Sequence, residues 1–493
     1  MKRWQKPGLL DNRSRNIKNA LWNIADTAMY PVIFMALTPY FINHLGEEMF
    51  GLWMFLNSLL IAFQVFNFGL APATMKYVAQ YRHSHQHINV RAVINTNLSL
   101  SLLLMILSFA VGFYIAGAVR YANLFNFPLP LKMFAASAIQ ITSFIIGLKF
   151  TEQIFLSAFK GFERYDIYAM LNAVIRFGAL AINLVQVTYH QSLLVMLFTN
   201  LCITVSMLIV QYIVLKKMFP QFKIALIFRK TLIAENIRFG LFTWLQSLAV
   251  IVVFQIDRYF VITYGGLEKL GYYVLTATIL ISMHSCLSAC ATWLIPKIVR
   301  SKDAPAESRR LYISMRAFIT MLSLSGICLF YMLHQPLFTV WMGTEKFSQI
   351  KTYMKLFAVF ELFYMLIIVP PLYLNYSGRE KAGTLLIYSV SLLNIVGIVS
   401  GFFYWNSIEG LLYGLIASAI ISAVVVYVYM SVSILHGNLF YETFVFVGLA
   451  GVGGALIFFS NLALQLSIFV LILGLCYLIF IKLEGFRLNR LFD

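Results

Sequence analysis

The chain has 493 residues, of which 61% are hydrophobic and only 11% are charged. Because soluble domains are about one quarter charged, this composition excludes an ordinary globular protein and indicates a multi-span membrane protein. The net charge of +18 would suit a nucleic-acid-binding protein, but the distribution of the charges along the chain excludes that function.

Apolar segments long enough to cross a bilayer follow one another along the sequence, separated by short polar breaks. The first one follows a polar, basic stretch without a cleavage site, so we expect an uncleaved span rather than a signal peptide. The spans, about fourteen, are predicted at 17–43, 50–72, 92–119, 131–158, 166–188, 191–215, 238–264, 270–296, 311–341, 352–376, 381–405, 409–435, 441–460 and 464–482.

The basic residues alternate between rich and poor loops. With the N-terminus inside, 28 of the 37 Lys and Arg residues lie in predicted cytosolic segments. This excess predicts a multi-pass protein with both termini in the cytosol. The net charge therefore reflects topology and contact with anionic membrane lipids, and we expect no nucleic-acid partner.

An internal repeat divides the predicted spans. Gly46 and Gly51 at the outer end of one span recur as Gly266 and Gly271 six spans later. This spacing predicts a pseudo-twofold axis along the membrane normal, as in many secondary transporters. The amphipathic stretch Pro220–Arg238 predicts an interfacial helix between the two copies. The predicted parts are an N-terminal six-helix lobe (1–218), an interfacial amphipathic linker (219–237), a C-terminal six-helix lobe (238–437) and two further helices with a cytosolic tail (438–493).

Ionisable residues inside spans are costly and normally face a cavity or a partner. Lys149 and Glu152 are three residues apart on one helical face and can pair, whereas Arg258 can snorkel outward. We predict a polar lumen that binds an anionic head group such as a pyrophosphate, and the alternative is that each residue only holds helices together. The candidate residues for the lumen are Arg176, Lys149, Glu152 and Asn172, and those for ion coupling or gating are Asp26, Asp257 and Glu361.

Prolines interrupt two of the predicted spans. A proline frees a backbone carbonyl and kinks the helix, and membrane helices tolerate this where water or side chains satisfy the carbonyl. We therefore predict hinges for alternating access, with ordinary kinks as the alternative. The candidates are Pro31 and Pro39 in the first span and Pro370 and Pro371 in the tenth.

Four sequence patterns resemble those of a known family. They are Lys160–Tyr168 (KGFERYDIY) at the start of the fifth span, Asp257–Tyr273, Trp341–Gly343, and Asn394 through Gly410 to Gly414. Together they resemble the bacterial flippases for O-antigen, teichuronic-acid and exopolysaccharide repeat units. This family belongs to the multidrug/oligosaccharidyl-lipid/polysaccharide exporter (MOP) superfamily.

The resemblance implies an all-α polytopic fold with two six-helix lobes in the bacterial cytoplasmic (inner) membrane. It implies that an undecaprenyl-pyrophosphate-linked oligosaccharide moves from the cytosolic to the outer leaflet by alternating access, driven by an ion gradient. A cationic lumen is typical of such proteins, and Arg176 and Lys149 fit it. The lipid II flippases of the superfamily carry Arg-Asp in the first span, whereas Ala25 precedes Asp26 here, which disfavours that cargo.

Two rival functions remain at this stage. A drug or cation antiporter of the same superfamily would share the fold, but the internal basic residues disfavour cationic cargo. A membrane-embedded polysaccharide polymerase or glycosyltransferase would need a larger external loop than the chain offers. We therefore expect a monomeric transporter rather than an enzyme, without cofactor or metal, that contacts membrane lipids and the polysaccharide polymerase and chain-length proteins.

Overall fold

A computed structural model describes residues 33–83, 86–122, 127, 129–189, 192–292, 298, 304–435, 447–448, 450–451, 454 and 462–476. The regular structure in this part of the chain is entirely helical. The helices are α1 (Ile33–Leu45), α2 (Glu47–Gln64), α3 (Leu70–His83), α4 (His87–Tyr121), α5 (Leu129–Gly161), α6 (Tyr165–Tyr189), α7 (Leu193–Met218), α8 (Lys230–Thr292), α9 (Pro305–Met342), α10 (Thr344–Tyr364), α11 (Val369–Tyr376), α12 (Glu380–Trp405), α13 (Ile408–Met430) and α14 (Leu462–Cys476).

Nine of the described helical segments are long and apolar enough to cross a membrane. The longest helix, α8, has 63 residues, about three times the length that one crossing needs. Gly266 divides it into two helices, because its φ of 79° and ψ of −179° interrupt the helical path and favour a residue without a Cβ. The predicted all-helical membrane fold is confirmed.

Backbone contacts divide the chain into two compact units. The first unit is Leu37–Leu275, and the second combines Met1–Ala36 with Thr276–Asp493. The boundary therefore falls within α8, just after the Gly266 bend. The predicted lobes, 1–218 and 238–437, remain a prediction.

In the first unit, the first half of α8 runs antiparallel to α2 and α3. Near the end of α3, the Tyr77 hydroxyl donates a hydrogen bond to the Glu235 carbonyl over 3.3 Å. Further along, the ring of Phe68 lies 4.6 Å from that of Trp244. The residue number on α8 rises from 235 to 244 as the number of its partner falls from 77 to 68, which is the order expected of antiparallel segments.

The glycines of the internal repeat meet where α2 crosses α8. A Cβ atom on Gly51 would lie 2.0 Å from the Leu267 carbonyl oxygen, and one on Gly271 would lie 3.0 Å from the Gly51 Cα atom. The Tyr272 hydroxyl also donates a hydrogen bond to Glu47 over 2.5 Å. The glycines at these positions therefore allow two backbones to touch, as small residues commonly do in membrane helix pairs.

The KGFERYDIY pattern forms the turn between α5 and α6. Glu163 adopts a left-handed backbone conformation with φ 58°. Arg82 at the end of α3 donates a hydrogen bond to the Phe162 carbonyl and lies 3.5 Å from the Glu163 carboxylate. Lys160 lies over the Tyr168 ring at 3.8 Å. The pattern thus encodes a turn that α3 holds in place.

In the second unit, α12 and α13 pack through glycines spaced four residues apart. A Cβ on Gly414 would lie 1.9 Å from the Gly397 carbonyl oxygen, and one on Gly401 would lie 2.4 Å from the Gly410 carbonyl oxygen. One turn away, the buried Ser418 hydroxyl donates a hydrogen bond to the Asn394 side chain over 2.8 Å. Small residues and a buried polar contact therefore join this helix pair.

The segment 220–238 differs from its predicted helical structure. Residues 220–229 are non-helical, and the helix begins only at Lys230. The side chains of Asn95 and Ser99 on α4 make hydrogen bonds with backbone groups between residues 223 and 227. The predicted interfacial helix is therefore wrong over 220–229, because side chains of α4 replace the hydrogen bonds that a helix would supply.

Candidate functional site

The predicted pair of Lys149 and Glu152 forms on α5. The Lys149 Nζ atom lies 3.0 and 2.8 Å from the two carboxylate oxygens of Glu152. The Glu152 side chain is almost fully buried, and that of Lys149 is about one fifth exposed. A buried carboxylate needs such a partner, so much of the Lys149 charge is neutralised within the protein.

Arg176 and Asn172 lie one helical turn apart on α6, which packs against α5. Arg176 is exposed, and no described carboxylate lies within ion-pair distance of it. Asn172 is buried, and its Nδ2 atom has no hydrogen-bond partner among the described residues. Arg176 therefore carries a charge that is available to an anion, whereas the lumenal roles of both residues remain predictions.

Asp257 and Arg258 are buried side by side in the first half of α8. One Asp257 oxygen accepts a hydrogen bond from the Tyr273 hydroxyl over 2.8 Å, and the other accepts one from the Arg258 backbone N–H over 2.6 Å. The predicted outward snorkelling of Arg258 is wrong, because its side chain is buried within the protein. The Asp257–Tyr273 bond joins the two halves of α8, and a coupling role for Asp257 remains a prediction.

Glu361 on α10 pairs with His284 on α8 in the second unit. The His284 Nδ1 atom lies 3.1 Å from a Glu361 oxygen, and the Glu361 side chain is 1% exposed. The Tyr364 ring lies 5.1 Å from the His284 ring. One turn beyond Glu361, the α-helix gives way to a short 3-10 turn at Met365–Ile367. A buried carboxylate with a half-buried histidine partner therefore lies beside an interruption of the helix.

The predicted hinge prolines occupy different settings. Pro370 and Pro371 lie in the first turn of α11, directly after the 3-10 turn, where a missing N–H costs least. Pro39 lies within α1, which continues through it. Asp26 and Pro31 lie outside the described residues. The hinge roles remain predictions.

The sequence predictions missed several polar and aromatic residues that the structure brings together. His284 stands alone in an apolar span, and its partner is 77 residues away, so no local pattern marks the pair. Asn67, Phe68 and Gly69 interrupt the second predicted span, and an Asn-Phe-Gly sequence is a recognisable turn signal. Among the described residues, no group of three or more His, Cys, Asp and Glu side chains could hold a metal ion.

The fold is that of the MOP superfamily transporters, which have two lobes of six helices. The inward-facing conformation of a multidrug resistance MATE family transporter matches with a TM-score of 0.68 and 14% identity, over 85% of this chain and 98% of that one. A MOP superfamily transporter from Pyrococcus furiosus, described as having a binding pocket of reverse polarity, matches with a TM-score of 0.60 and 14% identity, over 87% and 98%. The outward-facing conformation of a MATE family transporter also matches, with a TM-score of 0.60 and 14% identity, over 87% and 97%.

A family model described as "Polysaccharide biosynthesis protein" matches residues 17–302, which is more than half of the chain. The chain therefore belongs to this family, the polysaccharide exporters of the MOP superfamily. No curated protein sequence gives a significant match. Family and fold together identify a multi-pass membrane protein of the transporter class, which confirms the resemblance drawn from the sequence.

Proposed function

We propose that this protein moves undecaprenyl-pyrophosphate-linked oligosaccharide repeat units from the cytosolic to the outer leaflet of a bacterial inner membrane. The match to the polysaccharide family model over residues 17–302 carries this proposal. The guanidinium of Arg176 supports it, because it is exposed and has no ion-pair partner among the described residues, and an arginine can bind a pyrophosphate with two parallel hydrogen bonds. Lys149 contributes less charge, since Glu152 neutralises much of it.

The ion gradient acts through the His284–Glu361 pair in this proposal. Both side chains are ionisable, and the pair lies one turn before the interruption at Met365–Ile367. A change in protonation would therefore alter the charge beside this interruption of the helix. Replacing Glu361 with Gln removes the titratable carboxylate but keeps its shape, so we expect transport that no longer responds to an imposed pH gradient.

The cellular test compares a deletion strain with strains that carry variants. Cells that lack the protein should accumulate lipid-linked repeat units on the cytosolic leaflet and lose surface polysaccharide. Arg176→Ala should reproduce this loss with unchanged membrane insertion, whereas Lys217→Ala, a control at an exposed cytosolic position, should export normally. Normal export by Arg176→Ala would contradict the role of the guanidinium.

The alternative function is a drug or cation antiporter, which the structural similarity to multidrug resistance MATE transporters favours. Dye efflux distinguishes the two functions in the same deletion strain. A fall in dye efflux with unchanged surface polysaccharide would select the antiporter. The polymerase and chain-length proteins remain expected partners, and co-purification from membranes tests that expectation.

A further inference from the structure

The second predicted span, 50–72, is broken in its last third. Helix α2 ends at Gln64, a short 3-10 turn follows, and Phe68 and Gly69 have positive φ angles of 50° and 73° before α3 begins. Since α2 alone has 18 residues and extends about 27 Å, the break lies toward one end of the predicted span but still within membrane depth. Non-helical backbone occurs at that depth only where protein buries it or water reaches it.

The break is stabilised by amide side chains. The Asn67 Oδ1 atom accepts a hydrogen bond from the Gly69 backbone N–H over 2.9 Å, and the Asn67 Nδ2 atom donates one to Gln153 on α5. Gln153 follows Lys149 by one helical turn, so both face the same side of α5. These partly exposed polar groups at membrane depth indicate a water-filled space beside the break, rather than contact with lipid.

Aromatic rings line the same break. Phe66 and Phe68 are each more than one third exposed, although both lie within the second predicted span. Phe68 is a bulky residue in a left-handed conformation, which costs about 1–3 kcal/mol and recurs at binding sites. Its ring is held against Trp244 of α8 at 4.6 Å. The strained backbone thus fixes an aromatic surface next to the amides.

We propose that the break between α2 and α3 is a saccharide subsite, in which Phe68 and Trp244 stack on a sugar ring while Gln153 and Asn67 bind its hydroxyl groups. The proposal rests on the transport function proposed above and names the residues that contact the sugar. Amides suit this role because they offer both donors and acceptors to hydroxyl groups. A cation site is disfavoured, because Glu152, the residue before Gln153, is already bound to Lys149.

The test measures binding to the purified full-length protein in nanodiscs. The probes are lipid-linked repeat units extracted from the host's own membranes, sugar-free undecaprenyl pyrophosphate, and the free oligosaccharide. Trp244→Ala removes one ring, and Phe68→Gly removes the other while tolerating the positive φ. Tyr114→Ala, at an exposed position on α4, is the matched control.

We expect both subsite variants to weaken binding of the sugar-bearing ligand roughly tenfold, which equals about 1.4 kcal/mol, and to leave binding of the sugar-free lipid unchanged. Equal losses for both lipids would overturn the proposal, because they would indicate a structural defect. Unchanged sugar binding in both variants would also overturn it, and so would a wild-type protein that binds no sugar. A wild-type protein that binds the free oligosaccharide through Trp244 but transports no lipid would refute the flippase function and retain the subsite.

Discussion

Replacing Gly51 with Ala places a methyl group where α2 crosses α8. The new Cβ would lie 2.0 Å from the Leu267 carbonyl oxygen, whereas ordinary contacts begin at 3.4 Å, so the two backbones must separate by about 1.4 Å. The atom in the way belongs to the Leu267 backbone, so it cannot rotate away as a side chain could. Overpacking of this kind typically costs about 1–3 kcal/mol. We therefore expect a clear loss of stability from a single methyl group.

The assay is thermal unfolding of purified variants in detergent, at one scan rate because membrane proteins commonly unfold irreversibly. Gly271→Ala is the intermediate case, since its Cβ would lie 3.0 Å from the Gly51 Cα atom. Gly117→Ala is the control, because its Cβ meets nothing within 4 Å and alanine favours a helix. The expected order of destabilisation is Gly51, then Gly271, then Gly117. A Gly51→Ala variant as stable as Gly117→Ala would refute the close crossing.

Three further substitutions test other contacts. Gly414→Ala should destabilise the α12–α13 pair by about 1–3 kcal/mol. Gly326→Ala is the control and should leave stability unchanged, because Gly326 has open space around it. Thermal unfolding measures both variants. Lys149→Ala should lower the free energy of unfolding by about 3–5 kcal/mol, because it leaves the buried Glu152 carboxylate without a partner. Adding Glu152→Gln should restore much of the unfolding temperature. No restoration would contradict the pairing. Arg82→Ala should speed proteolysis at the α5–α6 turn, and unchanged cleavage would show that this arginine does not hold the turn.

Features with a local signal were predictable from the sequence. Hydropathy predicted the helices that span the membrane. Lipid offers no hydrogen-bond partners, so an apolar segment in the membrane satisfies its backbone groups by forming a helix. The spacing of Lys149 and Glu152 predicted their ion pair, since three residues place both side chains on one helical face. The repeated glycines predicted turns at the ends of spans, and the positive φ angles of Gly46 and Gly266 confirm a bend at each of these two positions, while their outer location remains a prediction.

Features that depend on distant partners were not predictable. His284 and Glu361 are 77 residues apart and meet only in the fold. The amphipathic pattern of residues 220–229 favoured a helix, but hydrogen bonds from Asn95 override that preference. No local sequence pattern predicted that the Arg258 side chain would be buried. Local patterns thus predicted helices and turns, whereas tertiary contacts decided the candidate sites.

Transport by the purified protein tests the central proposal most directly. Proteoliposomes would be loaded with fluorescent undecaprenyl-pyrophosphate-linked repeat units in one leaflet, and a membrane-impermeant sugar-cleaving enzyme would report their arrival in the other. The proposal predicts rapid movement with the wild-type protein under an imposed ion gradient, and movement at the protein-free rate with Arg176→Ala. Movement at the protein-free rate with a correctly inserted wild-type protein under proton and sodium gradients would contradict the proposal.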